Sequence, residues 1–144
     1  MSTTTMDAFH VGTDAFNAHD IDRFTEVLAD DVVFDAPGGL SGAGKSACAE
    51  FFRGWFDPFP DAHVDVAAIH VSGDVIVEQG TFTGTHRGVL RGATGDIPPT
   101  GRSVSVPYVH VLRFAESKHV AFSLMFDRLL MLEQLGVVPS TPTR

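Results

Sequence analysis

A histidine, a tyrosine and a carboxylate lie within one stretch of the sequence, between Val104 and Asp127. Tyr108 and His110 alternate with other residues on one face of a predicted strand, because successive side chains on a strand point to opposite faces. A polar break at 116–118 separates this strand from a second apolar run that ends on Asp127, and the two runs predict an antiparallel hairpin. If the shared face lines a cavity, the imidazole, the phenol and the carboxylate form a candidate acid/base site.

Two of these residues also have ordinary structural explanations. A histidine among apolar neighbours is more often a hydrogen-bonded core residue than a catalyst, and a role has to be argued from a whole site. Asp127 directly precedes the helical pattern RLLMLEQL, and aspartate is a favoured residue at a helix N-cap. The sequence leaves the catalytic and the structural interpretations of His110 and Asp127 open.

The composition predicts one domain spanning residues 1–144, with residues 1–5 and 140–144 frayed. Its 144 residues can bury a core without disulfides, and 44% of them are hydrophobic, with a mean hydropathy of +0.12. Twelve Phe stand against a single Tyr and a single Trp. This excess of Phe indicates either a large aromatic core or an apolar pocket.

Charge and targeting signals exclude several classes of partner. The net charge of −8 and the pI near 5.1 argue against nucleic acid, since phosphate binding needs clustered Lys and Arg. There is no apolar run long enough to predict a membrane span, and the first residues lack the basic and apolar segments of a signal peptide. The single cysteine, Cys48, allows no internal disulfide. We therefore expect a reduced, cytoplasmic protein without nucleic-acid or membrane partners.

The periodicity of apolar residues predicts helices followed by antiparallel strands, an α+β arrangement. The predicted helices cover about 6–18, a segment that begins at the N-cap Asp20, about 45–56, and a short terminal stretch closed by Gly136. The predicted strands cover 32–34, a stretch from residue 63, 75–85, and the two halves of the hairpin. The glycine-rich segment 86–103 is predicted to be a long loop, and such loops are usually functional or mobile.

Residues 39–46, GLSGAGKS, match the phosphate-loop motif G-x-x-x-x-G-K-[ST]. In a true phosphate loop, backbone N–H groups hold the phosphates and the Lys and Ser side chains reach phosphate and magnesium. A true loop follows directly from a buried parallel strand, whereas residues 35–38 intervene here and no βαβ alternation follows. We therefore interpret the motif as a glycine-rich turn into a helix, with Ser46 in its first turn.

Asp61, His63 and Asp65 alternate on one face of a predicted strand, where they could meet a cation. Hard cations prefer more oxygen ligands, and zinc prefers more His or Cys, so a solvated strand edge is the preferred interpretation. Cys48 falls within an apolar helix stripe, where its thiol would be inert. We expect no metal and no other cofactor.

Six segments, in this order and spacing, carry a resemblance to a known family: FNAHDIDRFTEVLADDVVF, SGAGKSACAEFFRGWFDPFPD, GDVIVEQGTFTGTH, IPPTGRSVSV, VHVLRF and FDRLLMLEQLGVVP. Over nearly its whole length, from about Asp14 to Pro139, the chain resembles the SnoaL-like polyketide cyclases and related ester cyclases of the nuclear-transport-factor-two-like superfamily. The resemblance implies a cone-shaped, curved antiparallel sheet that packs against three N-terminal helices and encloses an apolar pocket.

The resemblance also implies cofactor-free intramolecular aldol cyclisation of an aromatic polyketide ester. A His on the penultimate strand and an Asp on the last strand then perform the acid/base work, and His110 matches the first position. The family's carboxylate is expected near Leu124, so Asp127 is the remaining acid on that strand. Either Asp127 takes this role, or the protein performs different chemistry in the same pocket.

The expected site residues fall into two groups. We expect Asp127 as the acid/base group, His110 as its partner or an enolate stabiliser, Tyr108 as a hydrogen-bond donor, and His86 acting from the mouth of the loop. The expected substrate-binding residues are Phe34, Asp35, Phe51, Trp55, Phe56 and Leu124. Ordinary core packing is the alternative for the aromatic members of this group.

Two other functions fit the same fold. Ketosteroid isomerases use an Asp just before a Pro-x-Gly sequence, and here Asp35 is displaced from that position by one residue, which turns a side chain to the other face of a strand. Other domains of this shape bind small apolar ligands without catalysis. In each case we expect a small apolar or aromatic ligand. We also expect a homodimer, because a sheet with two apolar faces needs both of them covered.

Overall fold

The computed structural model describes residues 3–92 and 95–139. The elements in that part of the chain are α1 Thr3–Asn17, α2 Ile21–Glu26, β1 Leu28–Ala36, β2 Leu40–Ala43, α3 Lys45–Phe56, β3 His63–Ser72, β4 Val75–Thr85, β5 Ser103–Ala115, β6 Lys118–Phe126 and α4 Arg128–Leu135. The α+β prediction is confirmed. Residues 3–5 belong to α1 and not to a frayed end, while the fraying predicted for 1–2 and 140–144 lies outside the described residues.

The six strands form one curved sheet in the order β2-β1-β6-β5-β4-β3. Neighbouring strands are antiparallel except β1 and β6, which run parallel, so the predicted antiparallel sheet contains one parallel pair. Parallel neighbours need a long crossover. Here the chain leaves β1, passes through α3 and the strands β3 to β5, and returns beside β1 as β6.

The predicted hairpin is formed by β5 and β6. Its turn consists of Glu116 and Ser117, whose φ angles are 51° and 64°. Positive φ at both central residues is the backbone pattern of a type I′ turn, whose twist matches that of the flanking strands. The predicted inner face of β5 is confirmed, since every second residue along it is buried or nearly so.

Helices α1 and α3 cover the concave face of the sheet with the apolar stripes that were predicted for them. Asn17, at the end of α1, fixes this helix to the edge strand β3. Its Nδ2 donates to the Val64 carbonyl oxygen at 3.1 Å, and its Oδ1 accepts from the Val64 N–H at 2.9 Å. His19 Nε2 adds a contact of 2.7 Å to the Ala62 carbonyl oxygen.

The segment that matches the phosphate-loop motif is partly a strand. β2 pairs antiparallel with β1, and the Gly44 N–H donates to the Val32 carbonyl oxygen at 2.7 Å. The backbone of Leu40–Ala43 is therefore engaged in sheet pairing, and α3 begins at Lys45, as the interpretation of a turn into a helix requires. The Lys45 ammonium lies 3.5 Å from the Asp30 carboxylate. β1 is also longer than predicted, because two consecutive exposed aspartates near its start conceal the alternation.

The last strand ends at Phe126, where the chain turns into α4. Asp127 is exposed, and its Oδ1 accepts a hydrogen bond from the Leu130 N–H at 3.0 Å. At the other end of α4, Gly136 has a φ of 77° and closes the helix. The capping interpretations of Asp127 and Gly136 are both confirmed.

The strand edge that carries Asp61, His63 and Asp65 is solvated, as expected. Asp61 accepts hydrogen bonds from the Thr85 N–H and hydroxyl, and His63 Nε2 lies 3.2 Å from the Asp65 carboxylate. No cluster of three potential metal ligands occurs within residues 3–92 and 95–139. In the same part of the chain, no helix combines the length and the apolar character needed to cross a bilayer.

Candidate active site

A cavity lies between the concave face of the sheet and the N-terminal helices. The space inside it that is open to the centres of water molecules is about 80 Å³. The apolar part of its wall includes Phe9, Phe16, Phe24, Phe51, Phe52 and Trp55 from the helices and Phe82, Val106, Leu112, Leu124 and Phe126 from the strands. The polar side chains that face it from the sheet are Glu78, Tyr108, His110 and His119.

Strand register places a carboxylate directly beside the predicted histidine. His110 on β5 is opposite Glu78 on β4 and opposite Leu124 on β6. Opposed residues of antiparallel strands have side chains on the same face of the sheet. The imidazole therefore has a carboxylate on one side and an isobutyl group on the other.

Glu78 is the one carboxylate among the described residues that line the cavity, and it is only 5% exposed. One of its oxygens accepts a short hydrogen bond from the Tyr108 hydroxyl, and the other lies 3.8 Å from His110 Nδ1. Burial raises the pKa of Glu78 above its ordinary value, and the bond from Tyr108 opposes that rise. Burial and the adjacent carboxylate raise the pKa of Tyr108, so the phenol keeps its proton and donates it.

Tyr108 reaches Glu78 across Gly80, the residue opposite it on β4. A Cβ atom at position 80 would lie 2.7 Å from the Tyr108 hydroxyl oxygen and 2.5 Å from the Asp65 carbonyl oxygen. Both distances are too short for a carbon atom, so only glycine leaves room for the phenol here. Gly80 thus determines where the hydroxyl of Tyr108 lies.

His110 has one ring nitrogen beside Glu78, and its other nitrogen, Nε2, has no hydrogen-bond partner among the described residues. Burial lowers the pKa of His110 to about 4, so the imidazole is neutral at pH 7. A neutral imidazole carries its proton on the nitrogen that faces an acceptor. Glu78 therefore favours the proton on Nδ1 and leaves the Nε2 lone pair free to act as a base.

A second histidine, His119, faces the cavity from the start of β6 and was not predicted. It is 3% exposed, and its ring lies against Phe114 and Phe24, with centroid distances of 4.4 and 5.9 Å. Burial, with a smaller contribution from His110, lowers its pKa to about 3. Neither of its ring nitrogens has a hydrogen-bond partner among the described residues.

The sequence profile of the SnoaL-like polyketide cyclases matches residues 7–135, which is most of the chain. The chain belongs to the SnoaL-like polyketide cyclase family. No functionally curated protein matches the sequence. The predicted family membership is confirmed.

Solved structures of other proteins match over nearly the whole chain. AclR from Streptomyces galilaeus, a candidate hydroxylase, is 24% identical with a TM-score of 0.83, covering 99% of this chain and 87% of AclR. A candidate SnoaL-like polyketide cyclase from Jannaschia sp. CCS1 is 21% identical with a TM-score of 0.82, covering 95% and 94%. IdmH from Streptomyces antibioticus, a candidate polyketide cyclase, is 26% identical with a TM-score of 0.77, covering 92% and 98%. These similarities confirm the cone-shaped fold.

Five of the residues predicted for this SnoaL-like site line the cavity: His110, Tyr108, Phe51, Trp55 and Leu124. Phe51 and Trp55 form one wall from α3, with their rings 6.3 Å apart and nearly perpendicular. Leu124 contributes apolar surface beside the imidazole. A substrate in the cavity would therefore touch these five side chains.

Neither predicted carboxylate reaches the cavity of this SnoaL-like protein. Asp127 was expected to be the acid/base group, but it follows the last residue of β6 and caps α4. Asp35 was expected to contact substrate, but it points to the convex face, where it accepts a hydrogen bond from the Ser123 hydroxyl at 2.5 Å. Its buried neighbour Ala36 takes the inward direction, as the alternation of a strand requires.

Two predicted wall residues are core residues that do not line the cavity. Phe34 packs between Phe51 and Phe122, with centroid distances of 4.9 and 5.2 Å. Phe56 stacks on His19 at 4.4 Å, near the end of α3. The core-packing alternative is therefore correct for both.

His86 is fully buried but holds a loop, and it does not line the cavity. Its Nδ1 accepts from the Thr100 N–H at 3.2 Å and lies 3.0 Å from the Thr100 hydroxyl. Its backbone N–H and carbonyl oxygen pair with Arg102 and Gly101. His86 thus joins the two ends of the loop predicted over 86–103, and the expected role at the mouth of that loop does not fit this position.

The sequence contains a signal for Glu78, although Glu78 was not among the predicted site residues. In VIVEQGTFTGT, Glu78 falls on the same face as Ile76 and Phe82, which is unusual for a carboxylate on an apolar stripe. Its partnership with His110 depends on the register of β4 against β5, which the sequence does not specify. A carboxylate at an inward position of the strand would have identified Glu78 but not its neighbour His110.

The close approach at Gly80 gives a direct test of the site's geometry. Gly80→Ala should lower the free energy of unfolding by about 1–3 kcal/mol, because the new methyl group collides with Tyr108 and the backbone of β3. The matched control is Gly54→Ala, at a helical position with open space around the new methyl group. It should raise the unfolding free energy slightly, since Ala favours helix over Gly. Urea unfolding measures both, and a Gly80→Ala protein as stable as the parent would contradict this packing.

Proposed function

We propose that the protein is a cofactor-independent acid/base enzyme that closes a ring in an aromatic polyketide or similar apolar substrate by an intramolecular aldol-type reaction. The observation that carries the proposal is the contact of His110 with Glu78, which also binds Tyr108, in a cavity that is otherwise largely apolar. Membership of the SnoaL-like polyketide cyclase family supports it. So does the 26% identity with IdmH, a candidate polyketide cyclase.

The first step is removal of a proton from a carbon flanked by two carbonyl groups. His110 Nε2 accepts this proton, since it is the unpartnered nitrogen of a neutral imidazole. The imidazolium that forms carries its charge beside the Glu78 carboxylate, whose 3.8 Å approach to Nδ1 can shorten once the charge develops. Tyr108 holds the other carboxylate oxygen, so Glu78 stays oriented toward His110.

The second step joins the enolate carbon to a ketone carbon of the same substrate. The ketone oxygen becomes an alkoxide, and His110 Nε2 returns the proton to it. One carbon–carbon bond forms, one carbon–oxygen π bond is lost, and no proton is gained or lost overall. This balance is why an acid/base pair suffices without a cofactor.

The apolar wall contributes to the same reaction by holding the substrate. The aromatic rings of Phe51, Trp55 and Phe82 offer surfaces on which a flat substrate stacks. Folding a flexible chain so that the reacting carbons meet removes much of the entropic barrier to ring closure. Exclusion of water strengthens the interaction between the imidazolium and Glu78.

The two alternative functions make different demands on these residues. A ketosteroid-isomerase-like reaction that uses Asp35 is disfavoured, because Asp35 lies on the convex face and is bonded to Ser123. A ligand-binding module would use the same cavity without turnover. In that case, changes at Glu78 would alter affinity alone.

Substitutions of Glu78 and His110 test their role in catalysis. Glu78→Gln and His110→Phe should each lower the rate by about 10²–10⁴-fold, because each removes part of the proton-transfer machinery. The substrate would be an anthraquinone carrying a β-keto ester side chain and a neighbouring ketone. Two readouts apply: deuterium uptake at the doubly activated methylene, and formation of the cyclised isomer by liquid chromatography with mass detection.

Asp127→Asn is the matched control for these variants. It keeps an oxygen acceptor at the N-cap of α4 and changes a carboxylate outside the cavity, so both stability and rate should stay near those of the parent. Full activity of Glu78→Gln together with a large loss in Asp127→Asn would return the catalytic role to Asp127. Unchanged deuterium uptake in all three variants would contradict the proposed chemistry.

We also propose that a second copy of the chain covers the convex face of the sheet. Val33, Val111 and Met125 lie on this face and are between 40% and 60% exposed. Large apolar side chains grouped on one exposed sheet face are typical of an interface. Ala121 and Ser123 lie between them, so a partner can approach closely.

Val111→Lys should therefore yield monomers, because it places a charge in the middle of the proposed interface. Val71→Lys is the control, since Val71 is similarly exposed but lies on β3 and faces the other side of the sheet. Light scattering after size-exclusion chromatography should give twice the 15.5 kDa chain mass for the parent and the control. A monomeric parent would contradict the proposal.

A further inference from the structure

We propose that His119 forms a second polar subsite, between α1, α2 and the start of β6, that binds a hydroxyl or carbonyl oxygen of the substrate far from the reacting carbon. The substrate class rests on the proposed function above. The subsite itself rests on the surroundings of His119.

His119 is enclosed by apolar groups on the sides that do not face the cavity. Its ring lies against Phe114 and is roughly parallel to that of Phe24. On the α1 side, Gly12 lines the cavity, and a Cβ atom there would lie 3.4 Å from His119 Nε2. The small residue on α1 leaves space next to this nitrogen, and that space belongs to the cavity.

The unpaired nitrogens of His119 lower the free energy of unfolding. A neutral imidazole has one donor and one acceptor, and both are buried here without a partner among the described residues. An apolar side chain at position 119 would pack against Phe24 and Phe114 without that cost. A ligand hydroxyl beside Nε2 can accept from this nitrogen or donate to it, whichever tautomer is present, so it recovers the hydrogen bond that Nε2 lacks.

The position of His119 fits a long, flat ligand. On β5, Phe114, the residue opposite His119, lies four residues beyond His110, so the two histidines lie at different places along the cavity wall. The wall between the two histidines includes Leu112 and Phe24, both apolar. A linear fused aromatic with an oxygen at each end would place one oxygen near His110 and the other near His119.

A matched pair of ligands tests the subsite: 2-hydroxyanthraquinone, and 2,6-dihydroxyanthraquinone, which differs only by a second hydroxyl at the far end. Isothermal titration calorimetry should show about tenfold tighter binding of the dihydroxy compound to the parent protein, because its second hydroxyl gives a buried His119 nitrogen a hydrogen-bond partner. In His119→Phe that gain should disappear. His119→Gln retains a donor and an acceptor and should keep part of the gain in affinity. It provides a second test in case the His119→Phe variant does not fold.

His70→Phe is the matched control, since it removes an exposed imidazole that does not line the cavity, and it should keep the tenfold difference. Nitrogen-15 NMR of the imidazoles adds a direct readout. The His119 resonances, assigned by their loss in His119→Phe, should move with the dihydroxy compound and not with the monohydroxy one. A ligand preference that is unchanged in His119→Phe, or absent from the parent, would overturn the subsite alone. If neither compound binds the parent, the subsite fails together with the aromatic substrate class.

Discussion

A buried carboxylate beside a neutral imidazole is the interaction on which the rest of this structure depends. Taking an isolated carboxylate out of water costs several kcal/mol, and Glu78 is almost fully buried. The hydrogen bond from Tyr108 offsets part of that cost, and His110 provides a group that can become its counter-ion. The three side chains meet because β4 and β5 pair in one register, and because Gly80 leaves room for the phenol. A shift of one residue between the strands would separate them.

The reaction proposed for this site does not depend on an acid at position 124. Leu124 and Glu78 flank His110 from opposite sides on neighbouring strands. The resemblance predicted a carboxylate on the Leu124 side, and this chain carries one on the Glu78 side. What the reaction needs is a carboxylate beside the imidazole within an apolar enclosure, and either neighbouring strand can supply it. The proposed function therefore rests on the geometry around His110 and not on an acid at position 124.

The fold and two of the four described polar residues on the sheet side of the cavity, Tyr108 and His110, can be predicted from local sequence patterns. The other two, Glu78 and His119, depend on pairing between strands that are distant in the sequence. Tyr108 and His110 could be placed on one inner face because strand alternation is a local property. Asp127 was expected to be the acid/base group, although the helical pattern after it also predicted an N-cap. Which of the two applies depends on where β6 ends, and it ends at Phe126. Glu78 and His119 were missed for a related reason. The position of Glu78 beside His110 follows only from the register of β4 with β5. His119 follows Lys118, the first residue of β6, and its inward direction depends on the bulge in the pairing between Arg113 and Phe114.

Nitrogen-15 NMR of the His110 ring tests the central claim most directly, with its resonances assigned by their absence from a His110→Phe variant. The account predicts a neutral ring at pH 7 with the proton on Nδ1, facing Glu78. It also predicts that the ring stays neutral as the pH falls, until the pH approaches about 4, because burial holds the pKa of His110 at that value. In Glu78→Gln the preference for a proton on Nδ1 should weaken. A ring that carries its proton on Nε2, or that titrates near the ordinary value of about 6.5, would contradict the account.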